Sequence, residues 1–277
     1  MAARDESVPV PRAKSRPFGI RQWLDEVIAY SELLGNLVVR DLRTKYRGSF
    51  FGIFWSLLNP LLLMIVYTVV FSLIVRVNIH PYAVFLLTGL VPWNAFAMSL
   101  TAATNSVLDN SGIVRKIYFP LQILPLSAVL ANSVNFGINL VLLAVLTVIF
   151  HASFSAAMVF VPVLVLLQIC FAYGLGSLLA AAQVYFRDVQ YFLSIMLTAW
   201  FFLTPIVYSI DLVPGKLQKV LAVNPMAWNI TSFQDVWFYG RMPRWSYLVG
   251  FAAVSLVMLI GGILIYGRLS QRFAEEV

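Results

Sequence analysis

The chain has 277 residues, of which 61% are hydrophobic and only 11% charged, and its mean hydropathy is +0.86. A soluble domain carries roughly a quarter charged residues, so this composition excludes a self-solvated globular protein and leaves the bilayer as the main solvent. The net charge of +7 does not mark a nucleic-acid binder: nine of the 19 Lys and Arg fall in the first 49 residues, just before an apolar run, where basic residues mark the cytoplasmic side of a membrane and its anionic headgroups.

Residues 1–21 read as a polar cytoplasmic arm. They hold no short apolar core ending in small residues, so a removable signal peptide is not expected. From 22 to 46, Trp23, Val27, Leu34, Leu37, Val38 and Leu42 alternate with Asp25, Glu26, Glu32, Arg40, Arg43 and Lys45. That pattern predicts an amphipathic helix lying along the inner membrane surface.

A helix needs about 20 apolar residues to cross a bilayer. Six such spans are predicted, at roughly 50–75, 83–105, 121–150, 156–184, 190–210 and 246–267. The third and fourth, separated by His151-Ala152-Ser153-Phe154, form a tight hairpin. Between the fifth and sixth, 211–245 holds Pro214, Pro225, Pro243 and apolar stretches too short to span, such as Val220-Leu221-Ala222-Val223. Re-entrant or interfacial half-helices on the outer side suit it. The fold class is therefore an all-α integral membrane protein: one transmembrane unit over 22–277, with six transmembrane helices, an N-terminal interface helix and outer half-helices. Fourteen of the 19 basic residues, including Arg115, Lys116, Arg187, Arg268 and Arg272, then share one side, and Arg76, Lys216, Lys219, Arg241 and Arg244 the other. That asymmetry predicts cytoplasmic N- and C-termini.

Little catalytic chemistry is legible. No Gly-x-x-x-x-Gly-Lys-Ser/Thr occurs; Gly215-Lys216 is followed by Leu217 and lacks the upstream glycine, so no phosphate cradle of that kind exists. No His/Cys/Asp/Glu set has metal-ligand spacing, the single Cys170 allows no intrachain disulfide, and the middle of each span carries no ionisable relay of the sort that ion-driven carriers use. Milder polarity recurs instead. Gly52, Ser56, Asn59 and Tyr67 fall near one face of the first span. Asn132, Asn135 and Asn139 do so in the third, and Ser194, Thr198, Phe201 and Tyr208 in the fifth. Each stripe alone reads equally well as glue between packed helices. Together with Trp55, Trp200 and Phe202 they suggest a wide, uncharged, aromatic-bearing path suited to sugar rings, or by stacking alone to lipid chains. Trp93 reads rather as an interfacial anchor. The connections at 105–120 and 184–189 are open to two readings, positive-inside anchoring or docking of a soluble protein.

A family resemblance emerges at these residues. Leu42-Arg43-Thr44-Lys45-Tyr46-Arg47-Gly48-Ser49 with Leu57-Leu58-Asn59-Pro60 resembles the entry to the first span of type-2 ABC exporter permeases. Val114-Arg115-Lys116-Ile117-Tyr118-Phe119-Pro120 resembles their first cytoplasmic loop. Tyr185-Phe186-Arg187-Asp188-Val189, Trp200-Phe201-Phe202-Leu203-Thr204-Pro205-Ile206-Val207-Tyr208 and Asn224-Pro225 follow in the same order. The likeness is greatest to permeases that export polysaccharide, O-antigen or teichoic acid, and covers about residue 22 to the end. It implies a homodimer in the bacterial cytoplasmic membrane with two copies of a separate ABC ATPase. That partner would use ATP and Mg, while this chain would bind no cofactor and catalyse nothing. Ile113, Arg115, Lys116, Tyr118, Arg187 and Asp188 would take the ATPase stroke. Arg43, Lys45, Tyr46 and Arg47 would meet the headgroup of a lipid-linked polysaccharide, and Ser56, Asn59, Tyr67, Asn132, Asn135, Asn139, Thr198, Phe201 and Tyr208 would line its channel. Two alternatives remain: export of drugs or small lipids, and a membrane glycosyl or acyl transferase drawing on Asp109, Asp188, Asp211 or Asp235.

Overall fold

The computed structural model of the chain describes residues 19–74, 79–114, 119–151, 154–215, 221 and 223–273. Every regular element among them is helical. A backbone in lipid must satisfy its own hydrogen bonds, and the sequence does so with five helices long and apolar enough to cross a membrane. These are α3 (Trp55–Thr68, continued by π-helical turns Val69–Ile74), α4 (Tyr82–Asp109), α6 (Ile123–Ile149), α7 (Val161–Tyr185, led in by a 3₁₀ turn Ala156–Phe160) and α10 (Trp245–Leu269). All five fall where continuous hydropathy predicts spans.

The stretch expected to span at 190–210 is shorter. Helix α8 (Val189–Phe202) has 14 residues, a rise of about 21 Å against a hydrocarbon core of about 30 Å. It stops because Pro205 has no N–H and disfavours a helical residue before it, and because a distant side chain caps it. Asn224 Nδ2 donates to Leu203 O at 2.9 Å and to Thr204 Oγ1 at 3.1 Å, while its Oδ1 accepts from Trp200 Nε1 at 2.7 Å. The same Oδ1 accepts from the backbone N–H of Met226 and Ala227 and so starts α9 (Pro225–Phe233), which ends in π-helical turns Gln234–Phe238. One amide thus ends one helix and begins the next.

The amphipathic segment is two helices, α1 (Ile20–Ala29) and α2 (Ser31–Tyr46), meeting at Tyr30. The bend keeps the backbone paired, since Tyr30 N donates to Glu26 O and Leu34 N to Tyr30 O. Trp23 Nε1 donates to Tyr173 Oη at 2.8 Å and holds α1 against α7.

Helix α4 is the axis of the molecule: 78% of its most apolar stretch is buried, against 6% for α3. It packs on α6 and α7, and α10 packs on α7. The α7–α10 crossing is close because both helices present glycine there. A Cβ on Gly262 would overlap the carbonyl oxygen of Gly174, and one on Gly174 would overlap the Met258 carbonyl. A second apolar cluster, including Leu37, Val107, Val114, Phe119, Val184, Tyr266 and Phe273, gathers α2, the end of α4, the short helix α5 (Ser111–Val114), the end of α7 and the C-terminal turn at one end of the bundle. At the opposite end, Gln168 Nε2 donates to Pro92 O and Asn229 Nδ2 to Gln168 Oε1, at 2.8 and 2.6 Å, pinning α9 to α4 and α7. Asp235, fully buried, accepts from Arg241 Nη2 at 2.6 Å, and Arg244 reaches Asp211 at 3.2 Å.

Candidate functional site

The basic residues of α2 do not form one cluster. A helix turns about 100° per residue, so Arg43 and Lys45 point to different sides. Arg40, Arg43 and Arg47, spaced i, i+3, i+7, line a concavity of about 680 Å³ with Asn36, Val39 and Thr44. Among the described residues no carboxylate pairs with Arg43 or Arg47, whereas Arg40 Nη2 lies 2.8 Å from Asp41 Oδ1. Asp41 and Lys45 face the other way, into a cleft of about 780 Å³ between α2, α4 and α6. Arg40 and Thr44 border both hollows.

Inside the cleft the structure joins two groups that the sequence reading keeps apart. Lys45 Nζ donates to Asn132 Oδ1 at 3.3 Å, so a residue expected at the headgroup entrance touches one expected in the channel. Lys45 is exposed overall, but partial desolvation of its ammonium lowers the Lys45 pKa. Asn132 and Asn135 are buried on the cleft wall and back-bond to Ala128 O and Ala131 O. Asn139 lies one turn further along α6, and its Oδ1 is buried without a hydrogen-bond partner among the described residues. The α4 wall contributes Thr101, Asn105, Ser106 and Asp109. Sequence reading assigns Asn105 to the edge of a loop and gives Asp109 no partner. Their spacing of four on one helix face is the signal that identifies them.

The other expected channel residues divide. Tyr67 stacks on Phe201 with centroids 6.2 Å apart, and Phe201 meets Trp93 at 5.8 Å. Trp93 is only 4% exposed and packs edge-on to Trp200; it is a core residue and not an interfacial anchor, because the surrounding aromatic rings cover its indole. Tyr208 Oη donates to Phe202 O at 3.1 Å. Ser56 is half-buried, while Asn59 on α3 and Thr198 on α8 are exposed, with the Thr198 hydroxyl donating to Ser194 O. None of the three lies in the cleft.

Of the expected coupling residues, Ile113 is half-buried in α5, and Arg115, Lys116 and Tyr118 lie outside the described residues. Tyr46 closes α2. Arg187 and Asp188 are exposed in the turn between α7 and α8. They form no ion pair with each other among the described residues. Gln183 shapes that turn: its Nε2 donates to Arg187 O at 3.2 Å and its Oε1 accepts from Gln190 N at 2.9 Å. Val114 and Val184 share one apolar cluster, so α5 and the 186–188 turn emerge at the same end of the bundle.

Comparison of the sequence with known proteins finds a matching family. The profile of the family described as ABC-2 type transporter matches residues 32–238. The chain is 37% identical over 254 residues to the O-antigen export system permease protein RfbA of Myxococcus xanthus, covering 91% of this chain and 98% of that protein. It is 32% identical to the protein of the same name from Klebsiella pneumoniae, over 88% of this chain and 94% of the relative. The polysialic acid transport protein KpsM of Escherichia coli is 21% identical over 83% of this chain and 90% of its own length.

Proposed function

The chain belongs to the ABC-2 type transporter family, and from that premise we propose that it is the membrane-spanning subunit of an ATP-driven exporter of a lipid-linked cell-envelope polysaccharide, such as an O-antigen, across the bacterial cytoplasmic membrane. It is a transport component and not an enzyme, in keeping with relatives named as permeases. The observation that carries the cargo assignment is the near full-length likeness to proteins named for O-antigen export. The relatives named for polysialic acid and capsule polysaccharide extend it to acidic and capsular glycans.

A separate ABC ATPase supplies the work. It docks at the end of the bundle where α2, α5, the 186–188 turn and the C-terminal turn gather, which is the cytoplasmic end and holds both termini. Support comes from the packing of these segments on one shared apolar cluster and from the exposure of Arg187 and Asp188. A second copy of the chain completes the channel. Helix α3 has almost no buried residues of its own, and α8 exposes Tyr191, Phe192, Ile195, Met196 and Phe202 while burying only Leu193 and Leu197. Such faces suit lipid and a partner protomer together. Helix α8 and the buried strand-free segment 204–210 act as the sixth crossing, and α9 with its π-helical turns is an outer re-entrant element. The polysaccharide passes between the protomers along the aromatic group around Tyr67 and Phe201. Its headgroup enters over Arg43, Lys45 and Arg47.

The motor assignment is tested by photo-crosslinking from Arg115 and Arg187 in membranes and by ATPase assay of the purified chain. The proposal expects a soluble nucleotide-binding protein in the crosslink and no hydrolysis by the chain alone. Intrinsic hydrolysis, or crosslinks that contain no ATPase, contradict it.

A further inference from the structure

The cleft beside α2 has a chemistry that a phosphate-binding rim alone does not require. The Asp109 carboxylate and the amides of Asn105, Asn132 and Asn135 stand around small apolar side chains such as Ala102 and Ala131. A carboxylate that accepts, flanked by amides that both accept and donate, matches neighbouring hydroxyl and acetamido groups over a short C–H face. The volume of about 780 Å³ lies within the range of small-molecule pockets.

We propose that this cleft recognises the sugar joined directly to the carrier phosphate, holding its hydroxyl and acetamido groups on Asp109, Asn105, Asn132 and Asn135. The carrier diphosphate lies across the Arg40–Thr44 ridge, which borders both hollows, against the guanidinium groups of Arg43 and Arg47. The chain therefore selects cargo by its first sugar, before any glycan enters the channel. This inference rests on the polysaccharide-export reading and adds a specificity site to it.

The test uses the permease with its co-purifying ATPase in lipid nanodiscs and two probes, a polyprenyl diphosphate carrying one N-acetylhexosamine and the bare polyprenyl diphosphate. The wild type is expected to bind the sugar-bearing probe about tenfold more tightly, the gain from one or two well-made polar contacts. Asp109→Asn and Asn105→Ala remove that preference and leave affinity for the bare diphosphate unchanged, while Arg43→Ala with Arg47→Ala weakens both probes equally. The two cleft variants sit on different turns of α4, so one that fails to fold leaves the other as the test. Equal binding of both probes by the wild type overturns the inference alone. So does loss of ATPase coupling in the cleft variants with the preference intact, since the cleft then serves the motor. Binding of neither probe overturns the inference and the export reading together.

Discussion

Lys45 on α2 and Asn132 on α6 are joined by a 3.3 Å hydrogen bond from the ammonium to the amide oxygen, tying the amphipathic helices to the third span. Under the entry route proposed above, an anion arriving at Lys45 competes with Asn132 for the same donor.

A double-mutant cycle on Lys45→Met and Asn132→Ala, read by thermal unfolding in detergent, is expected to give a coupling of about 1 kcal/mol, typical of one partly exposed polar bond. Additive effects would show that the contact carries no energy.

Desolvation lowers the Lys45 pKa. Acylation by an amine-directed reagent is therefore expected to follow a pH profile with its midpoint below the ordinary value of 10.5. Between the lowered folded value and 10.5 the unfolded chain holds more protons, so Lys45 makes stability rise with pH across that window. Lys45→Met removes the rise. A profile centred at or above the ordinary lysine value contradicts the partial desolvation of the ammonium.

Asn224→Ala breaks the bonds to Trp200, Leu203 and Thr204 together with the N-cap of α9. A cap and three partly exposed bonds sum to about 3 kcal/mol of lost stability. Asn224→Asp keeps the accepting oxygen and loses the donor to Leu203 O, so it falls between alanine and wild type. A melting temperature unchanged in both variants would remove Asn224 as the joint of the two helices.

Neighbouring glycines give opposite outcomes. A methyl at Gly262 meets the Gly174 backbone, while one at Gly261 meets nothing within 4 Å. Gly262→Ala is expected to force α7 and α10 apart and cost about 3 kcal/mol, whereas Gly261→Ala gains about 1 kcal/mol from helix propensity. Thermal unfolding of the pair distinguishes them.

How much the sequence discloses follows from which forces are local. Spans such as 121–150 and 246–267 coincide with α6 and α10 within a few residues, because each is an uninterrupted apolar run that lipid compels into a helix. The end of α8 is set by Asn224, 20 residues beyond Thr204, and nothing within 190–210 except Pro205 reveals it. The asparagine stripe of α6 was legible by its period, and two of its members do line the cleft. The cationic group was legible only as a composition: Arg43 and Lys45, two residues apart, face different hollows, which helical geometry separates and adjacency in sequence merges. Gly174 and Gly262 are invisible as partners in the sequence because their significance lies in the backbone each meets. Asp109 and Asn105 gain a role only once α2 lies across α4.

The central claim, export of a lipid-linked polysaccharide, is tested most directly by measuring lipid-linked oligosaccharides on the two faces of the cytoplasmic membrane after the protein is depleted. The account predicts that full-length lipid-linked glycan accumulates on the cytoplasmic face while glycan on the cell surface is lost. Normal surface glycan with no cytoplasmic accumulation would contradict it.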